Sequence, residues 1–594
     1  MNKVRVLPEE IIAKIAAGEV IERPASVIKE LLENSIDSGA TRIELQLKDA
    51  GKTSIVIKDN GCGIGREDLE TIFQRHATSK IETLDDLFNI HSLGFRGEAL
   101  YSIAAVSDIV LQSKAADQPE GWQIHTRGGQ KQAVKPCAFN EHGTNIEIKE
   151  LFFNTPARKK FLKTDSGEFH QVVGTFVPYT LLYPQVRFKL THQGRDIIDL
   201  AAIHDLKSRV AHVLNLAEEH MLDLTKNFPE QNLEMRLILG DINIKRTRRD
   251  MQYIFVNGRP VFNKNIVYHL NQIYRLILPA ELAPFFILYL TVPAADVDVN
   301  IHPTKREVKI KNEREICTLL RRVCEQALMT STGMKQVSFP GRPADAVTPS
   351  FRYNTDARED IPAAQPLFEE QPYFSGEAAN KDYAYPRANE PQAFYLPANR
   401  ALTDDNIQTK LEGARYIGAF MHKYLLYEAD RNLLVVDQHA AAERITYEKL
   451  IRHMEKGDVE VQPLLSPVLV SVNAQELVVY EEIQDEFRKV GLESSLFDPQ
   501  TIAIHTQPLL LRDVEQTVRY LLAGDKITNR DHDQIARRAC RSSIMAGDKL
   551  KPDQAEFLRE ELLQCLDPFT CPHGRPTVIE LTETFFDQQF LRTQ

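Results

Sequence analysis

Between Pro24 and Gly39 the apolar residues Val27, Ile28, Leu31, Leu32 and Ile36 recur at helical spacing, which predicts an amphipathic helix. Pro24 is suited to open it and Gly39 to stop it. Glu30, Asn34 and Asp37 follow at i, i+4 and i+7, so they share one separate polar stripe. From Arg42 to Lys48, and again from Ser54 to Asp59, apolar and polar residues alternate. That pattern predicts two half-buried strands joined by a turn around Asp49 to Lys52. Far downstream, Leu433 to Val436 reads as a buried strand, and from Ala440 the period turns helical.

Between Pro340 and Pro397 neither period survives. Prolines recur there among Ala, Asn, Gln and Glu, a composition that cannot bury enough apolar surface to offset chain entropy. This segment reads as a flexible Pro-rich linker. The expected division is 1–204, 205–335, a linker over 336–404, and 405–594. Four units agree with a chain of 594 residues at roughly 150 residues per domain. Hydrophobic residues at 43% and charged residues at 26% fit a soluble globular protein.

Lys plus Arg is 72 against 83 Asp plus Glu, a net charge of −11. No global attraction to nucleic acid or to an anionic membrane follows, so any DNA contact must come from a local basic patch. Lys245, Arg246, Arg248 and Arg249 form such a run. Seven cysteines in so long a chain exclude a disulfide scaffold and suit a reducing compartment. The N-terminus lacks the apolar core of a signal peptide, and the run Phe285 to Val292 is too short to span a bilayer. The expectation is a cytoplasmic protein, associated with the nucleoid and not with a membrane.

Two regions carry chemistry. The second predicted strand runs into Asp59-Asn60-Gly61-Cys62-Gly63-Ile64-Gly65. A carboxylate before a glycine-rich turn can accept from an exocyclic amine while the backbone approaches a ligand closely. Leu93 to Leu100 is a second glycine-rich turn that opens into an apolar-periodic stretch, an arrangement suited to anions. Asp298 to Lys305 places a lysine in a turn after a strand, and no Walker-type run occurs. In the C-terminal part, His439 and Glu443 share a face at a helix start, with Asp437 just before it. Cys540, Cys571 and His573 extend these to a mixed N/O/S set suited to Zn²⁺. Glu448 lies five residues after Glu443, well round the helix, and a surface ion pair with Arg444 is its simpler role.

Several segments together resemble the MutL family of DNA mismatch repair proteins, within the GHKL group of gyrase B, Hsp90 and histidine kinases. They are Ile15 to Val20, Glu22 to Ser26, Glu33-Asn34-Ser35, Asp59 to Ile64, His76 to Lys80, Gly94 to Leu100, Phe153 to Arg158 and Val256 to Arg259. The resemblance implies an α/β (α+β) architecture. Its parts would be an N-terminal GHKL (Bergerat) ATPase sandwich, a second S5-like α/β subdomain, the linker, and a C-terminal α/β dimerisation and endonuclease domain. It implies ATP and Mg²⁺ as ligands. Glu30 would be the general base and Asn34 the Mg²⁺ ligand. Asp59 would take adenine, with Gly63 and Thr144 beside it. The lid Gly94, Phe95, Arg96, Gly97, Glu98, Ala99 and Leu100 would wrap the phosphates, and Lys305 would sense the γ-phosphate.

Residues 437–448 match the signature Asp-Gln-His-Ala-x-x-Glu-x-x-x-x-Glu of the endonuclease-bearing subset at every fixed position. This implies nicking of duplex DNA with Asp437 and Glu443 as catalytic residues. His439, Glu443, Cys540, Cys571 and His573 would hold Zn²⁺ and/or Mn²⁺. Gln462, Leu464, Leu465 and Pro467 resemble the motif that docks on the replicative sliding clamp. Lys264, Arg248 and Arg249 would contact double-stranded DNA. The implied partners are the mismatch sensor MutS, the clamp and a second copy of the chain. The competing expectation is an ATP-dependent matchmaker with a purely structural metal site.

Overall fold

In a computed structural model of the chain, the described residues are 17–18, 20–80, 92–94, 97–244, 249–275, 277–278, 282–298, 308–331, 404–498, 500–511, 513–523, 532–539, 550–590 and 592. The first predicted helix is α1 (Pro24–Asp37), with Pro24 in its first turn. Val27, Ile28, Leu31 and Leu32 are buried and Ile36 is partly buried against the same core. Each such side chain stabilises the fold by roughly 1.5–3 kcal/mol when fully buried. The helix ends where Gly39 turns to φ +73°, a conformation that costs glycine little.

Strands β1 (Arg42–Lys48) and β2 (Ser54–Asp59) form the predicted antiparallel pair, in register Ile43 to Asp59. Their alternation delivers Ile43, Leu45, Leu47, Ile55 and Ile57 to the core. They lie within a nine-stranded sheet with β3 (Asp108–Lys114), β4 (Gly121–Arg127), β5 (Gln130–Lys131), β6 (Lys135–Cys137), β7 (Gly143–Lys149), β8 (Arg187–His192) and β9 (Arg195–Leu200). The strand order is β5-β4-β3-β7-β2-β1-β8-β9, with β6 on β4. The β2–β7 pairing places Thr144 opposite Asp59. After α1 and a short helix at Arg66–Thr71 come α2 (Ala99–Ala105), α3 (Pro156–Lys160) and α4 (Asp165–Leu182). Phe169, Val172, Val173, Phe176 and Val177 of α4 join the α1 residues in one core.

A second, five-stranded sheet runs β10 (Met221–Phe228), β11 (Leu233–Gly240), β14 (Phe286–Thr291), β12 (Gln252–Val256), β13 (Arg259–Val261) in space. Helices α5 (Lys264–Tyr274) and α6 (Glu313–Ser331) supply its separate core through Ile266, Leu270, Leu320 and Cys324. The Tyr289 hydroxyl donates to the Leu181 carbonyl at 3.0 Å, fastening this sheet to α4.

In the C-terminal part, β17 (Arg415–Phe420), β18 (Tyr424–Ala429), β19 (Asn432–Asp437) and β23 (Val578–Leu581) form a four-stranded sheet; the short pair β15 (Val297–Asp298) and β16 (Lys309–Ile310) precedes them in the chain. A three-stranded sheet combines β20 (Val461–Ser471), β21 (Ser494–Asp498) and β22 (Thr501–Pro508). Helix α7 (Gln438–Lys456) serves both sheets. Its Ala441, Ala442 and Ile445 enter the core under the four-stranded sheet, with helix α8 (Pro552–Leu563). Its Tyr447, Leu450 and Met454 enter the core of the three-stranded one. The N-terminal half of α7 is therefore held in one core and the rest of the helix in the other. Among the described residues no helix is long and apolar enough to cross a membrane.

Candidate nucleotide site and metal centre

The C-terminal end of α1 lies against the turn after β2, where the Cys62 N–H donates to the Ser38 carbonyl at 3.0 Å. Lys29 lies beside Glu30, with its Nζ 3.1 Å from Glu30 Oε1 and 2.9 Å from Glu33 Oε1. The Tyr179 hydroxyl donates to Glu33 Oε1 at 2.7 Å from α4. Burial works against the Lys29 charge, yet Glu33 and Glu30 outweigh it and raise its pKa. Lys29 is thus held as an ammonium between two carboxylates, and it restrains the Glu30 side chain.

One turn along, Lys80 donates to Asn34 Oδ1 at 2.9 Å and to Asp37 Oδ2 at 2.5 Å. Asp37 also accepts the Leu93 N–H at 2.9 Å and the Gly94 N–H at 3.1 Å. It thereby ties the start of the glycine-rich segment to α1. Arg259 donates to the Ser92 carbonyl at 2.6 Å, so the second sheet also touches the residues leading into this segment. Gly97 has φ +60°, and a Cβ there would lie 2.6 Å from the Ala77 carbonyl oxygen. Only glycine fits that crossing without displacing backbone. Glu98 faces Arg75 and His76, and Ala99 and Leu100 start α2.

Asp59 is buried at the end of β2, 8% exposed. It accepts from the Ser35 hydroxyl at 2.9 Å and from the Gly61 N–H at 3.0 Å. Burial raises its pKa, against the opposing effect of Gly61, Ser35 and the Thr144 backbone. Gly63 has φ +72°, and a Cβ there would sit 2.0 Å from the Lys114 carbonyl oxygen. Thr144 is bonded to Ser113, whose hydroxyl also receives the Ile64 N–H at 2.9 Å. The glycine turn is thus pinned against β3 and β7, with one buried carboxylate at its base. Cys62 is exposed and directs its thiol to the Gly63 carbonyl, in keeping with a structural role.

In the C-terminal part, Asp437 caps α7, its Oδ1 accepting the N–H of His439 at 2.9 Å and of Ala440 at 3.0 Å. His439 Nε2 stands 3.5 Å from Glu443 Oε1. His573 Nδ1 stands 3.2 Å from Glu443 Oε2. One ligand atom each of Glu443, Cys571 and His573 lies within 4.8 Å of the others. Carboxylate, thiol and imidazole in that space form a donor set that fits Zn²⁺. The loop from Cys571 is a tight turn closed by its N–H to the Arg575 carbonyl at 2.8 Å, and the Arg575 N–H points to the Cys571 sulfur at 3.4 Å. Arg537, in the short helix His532–Ala539, donates to the Pro572 carbonyl at 2.9 Å.

Some expected site residues lie outside the described residues: Phe95, Arg96, Lys305, Cys540, Arg248 and the linker. Lys264 and Arg249 are exposed. Glu448 does pair with Arg444, 3.5 Å apart, but the pair is no surface bridge. Their side chains are only 9% and 10% exposed, because residues 566–570 fold over them. Two features escaped the sequence reading. Lys29 and Tyr179 brace the α1 carboxylates, and Tyr179 is too distant in sequence for any local pattern to reveal it. Helix α3 displays Lys159 and Lys160 beside Phe161, which is 85% exposed. The run Arg158-Lys159-Lys160 was its only sequence signal.

The buried carboxylate under a glycine turn, the carboxylate-bearing helix and the glycine-rich segment tethered to it define a nucleotide site of the GHKL type. Residues 21–144 match the family described as histidine kinase-, DNA gyrase B-, and HSP90-like ATPase. Residues 212–329 match the DNA mismatch repair protein C-terminal domain, and 417–550 the MutL C terminal dimerisation domain. The DNA mismatch repair protein MutL of Clostridium acetobutylicum is 32% identical over 631 residues and covers 100% of both chains. That of Thiobacillus denitrificans is 34% identical over 605 residues and covers 99% of each. The chain belongs to the MutL family of DNA mismatch repair proteins. Among solved structures, the Aquifex aeolicus MutL ATPase domain complexed with ADP is 31% identical, covers 46% of this chain and 93% of that one, and has a TM-score of 0.36.

Proposed function

We propose that the chain is an ATP-gated dimeric clamp that couples mismatch recognition to nicking of one DNA strand at its own metal centre. The observation that carries the reading is the convergence of Glu443, Cys571 and His573 at the start of a helix capped by Asp437, in a member of this family. In the nucleotide site, Glu30 orients water on the γ-phosphate and accepts its proton, braced by Lys29. Asn34 ligates Mg²⁺, Asp59 accepts from the adenine amine with Gly63 and Thr144 beside it, and Lys305 reaches the γ-phosphate. Residues Gly94 to Leu100 cover the phosphates. Asp37 and Arg259 hold the residues that lead into that segment, Leu93 and Ser92, so it is anchored both to α1 and to the second sheet.

His439, Glu443, Cys540, Cys571 and His573 would hold the C-terminal ions, Zn²⁺ and/or Mn²⁺. A bound divalent ion polarises the phosphodiester and lowers the pKa of water. Asp437 and Glu443 place carboxylates where the attacking water can be oriented. Lys264, Arg248 and Arg249 contact the DNA backbone. In β20 the register with β22 shifts between Pro463 and Val468, so Leu464 to Pro467 bulges from the sheet and Leu465 is fully exposed. A protruding Leu flanked by prolines suits docking on the sliding clamp. MutS is the expected mismatch sensor.

The reading is tested with full-length protein on supercoiled plasmid. Metal-dependent relaxation to the nicked circle, blocked by a chelator and stimulated by clamp and ATP, is the expected result. A metal-loaded, ATP-hydrolysing protein that leaves the plasmid intact would establish the matchmaker instead.

Two further outcomes follow from the geometry. Protonation of Asp59 weakens its acceptance from adenine. Since burial raises its pKa, ATP binding should weaken as pH falls at a higher pH than an ordinary aspartate dictates. The full loss is about 1.5–3 kcal/mol, a hydrogen bond to a charged group. Asp59→Asn should bind weakly with this pH dependence removed, as read by nucleotide titration across mildly acid pH. Secondly, the face of the four-stranded sheet turned away from α7 aligns Leu426, Val435 and Ile579 across three strands, and Ile579 is 46% exposed. A second copy covers this apolar face. Ile579→Glu should weaken the dimer by about 2 kcal/mol or more, seen as monomer in light scattering.

A further inference from the structure

Glu448 closes the sequence signature that begins at Asp437, yet it cannot reach the same ion as Glu443. Five residues along a helix turn it roughly 140° away. Its carboxylate is occupied elsewhere. Oε2 accepts the Leu566 N–H at 2.7 Å and Oε1 accepts the Asp567 N–H at 3.2 Å. Arg444, one turn earlier, stands 3.5 Å from Glu448 Oε1. The same guanidinium donates to Asp567 Oδ2 at 3.0 Å and to the Thr570 carbonyl at 2.5 Å. Thr570 directly precedes Cys571.

The segment these two residues hold runs from the end of α8 to the first loop ligand. Leu566 is 93% exposed, so its side chain gives the segment no apolar anchor there. The Pro568–Thr570 end is also held by Phe569 packing against the core and by Thr577, which donates to the Pro568 and Phe569 carbonyls, whereas the backbone of Leu566 and Asp567 is set by hydrogen bonds to Glu448, nearly buried beside Arg444. A carboxylate in such a place is stable because it is paired and receives backbone donors. Without it, two adjacent N–H groups and one guanidinium lose their common partner.

We propose that Glu448 is a positioning residue for the metal centre: with Arg444 it suspends residues 566–570 from α7 and so sets Cys571 and His573 against Glu443. This rests on the reading of Glu443, Cys571 and His573 as metal ligands. Glu443 and Glu448 are on one helix, so the helix carries both a ligand and the support of the opposing ligands. Helix and loop are then a single rigid unit, as outer groups that orient metal ligands generally are.

The experiment is a Zn²⁺ titration of the full-length chain against a competing chelator, with thermal unfolding recorded by circular dichroism. Wild type, Cys571→Ala, Glu448→Ala and Glu448→Gln are compared. Cys571→Ala should lose one high-affinity Zn²⁺ equivalent. Glu448→Ala should retain that equivalent with about 10–100-fold weaker affinity, and Glu448→Gln, which keeps one acceptor oxygen, should fall between. Wild-type affinity in a folded Glu448→Ala, with Cys571→Ala defective, overturns the positioning role alone. Wild-type binding by Cys571→Ala overturns the metal reading beneath it. If Glu448→Ala melts early, Glu448→Gln decides: wild-type affinity in that variant overturns the role, and weakened affinity in a folded protein supports it.

Discussion

Glu30→Ala is expected to bind ATP nearly as wild type does and to hydrolyse it about 100-fold or more slowly. The geometry separates the two steps. The proposed adenine acceptor is Asp59, at the base of the glycine turn, whose own contacts are with Ser35 and Gly61 and do not involve Glu30. Glu30 lies on the polar stripe of α1 with Lys29 against it, and its loss leaves the buried Lys29–Glu33–Tyr179 chain in place. The helix should remain folded, because its core contacts come from Val27, Ile28, Leu31 and Leu32 on the other face. Single-turnover hydrolysis beside equilibrium nucleotide binding measures both quantities. Unaltered turnover would remove Glu30 as the base; lost binding would show that it holds the nucleotide.

Glu443→Lys is expected to abolish nicking and leave ATP hydrolysis by the N-terminal part intact. Glu443 is 5% exposed and stands between His439 and His573. An ammonium there repels any cation brought to Cys571 and His573, where a carboxylate attracted it. Asp437→Asn should also stop nicking, but by a milder change: the amide oxygen can still accept the His439 and Ala440 N–H groups and cap α7. Plasmid nicking and Zn²⁺ content together distinguish the two. Nicking by both variants would place the nuclease chemistry elsewhere.

The elements near both sites were legible because their patterns are local. Helix α1 and strands β1 and β2 run over the residues that spacing predicts. The pairing of Arg444 with Glu448 was legible as well, since four residues on a helix make neighbours. Its burial was not. That depends on residues 566–570, more than a hundred positions later, and no periodicity in α7 encodes what will cover it.

By itself the sequence determined the helical and strand periods, the glycines that permit left-handed turns, and the identity of the groups able to bind phosphate or metal. It also carried the family, through ordered motifs along the whole chain. Only the tertiary structure decided which of those groups meet. Tyr179 reaches Glu33 across 146 positions, and His573 reaches Glu443 across 130. Such contacts arise when separate elements bury their apolar faces together. The polar atoms carried on them are then brought within reach, at separations that no run of neighbouring residues specifies.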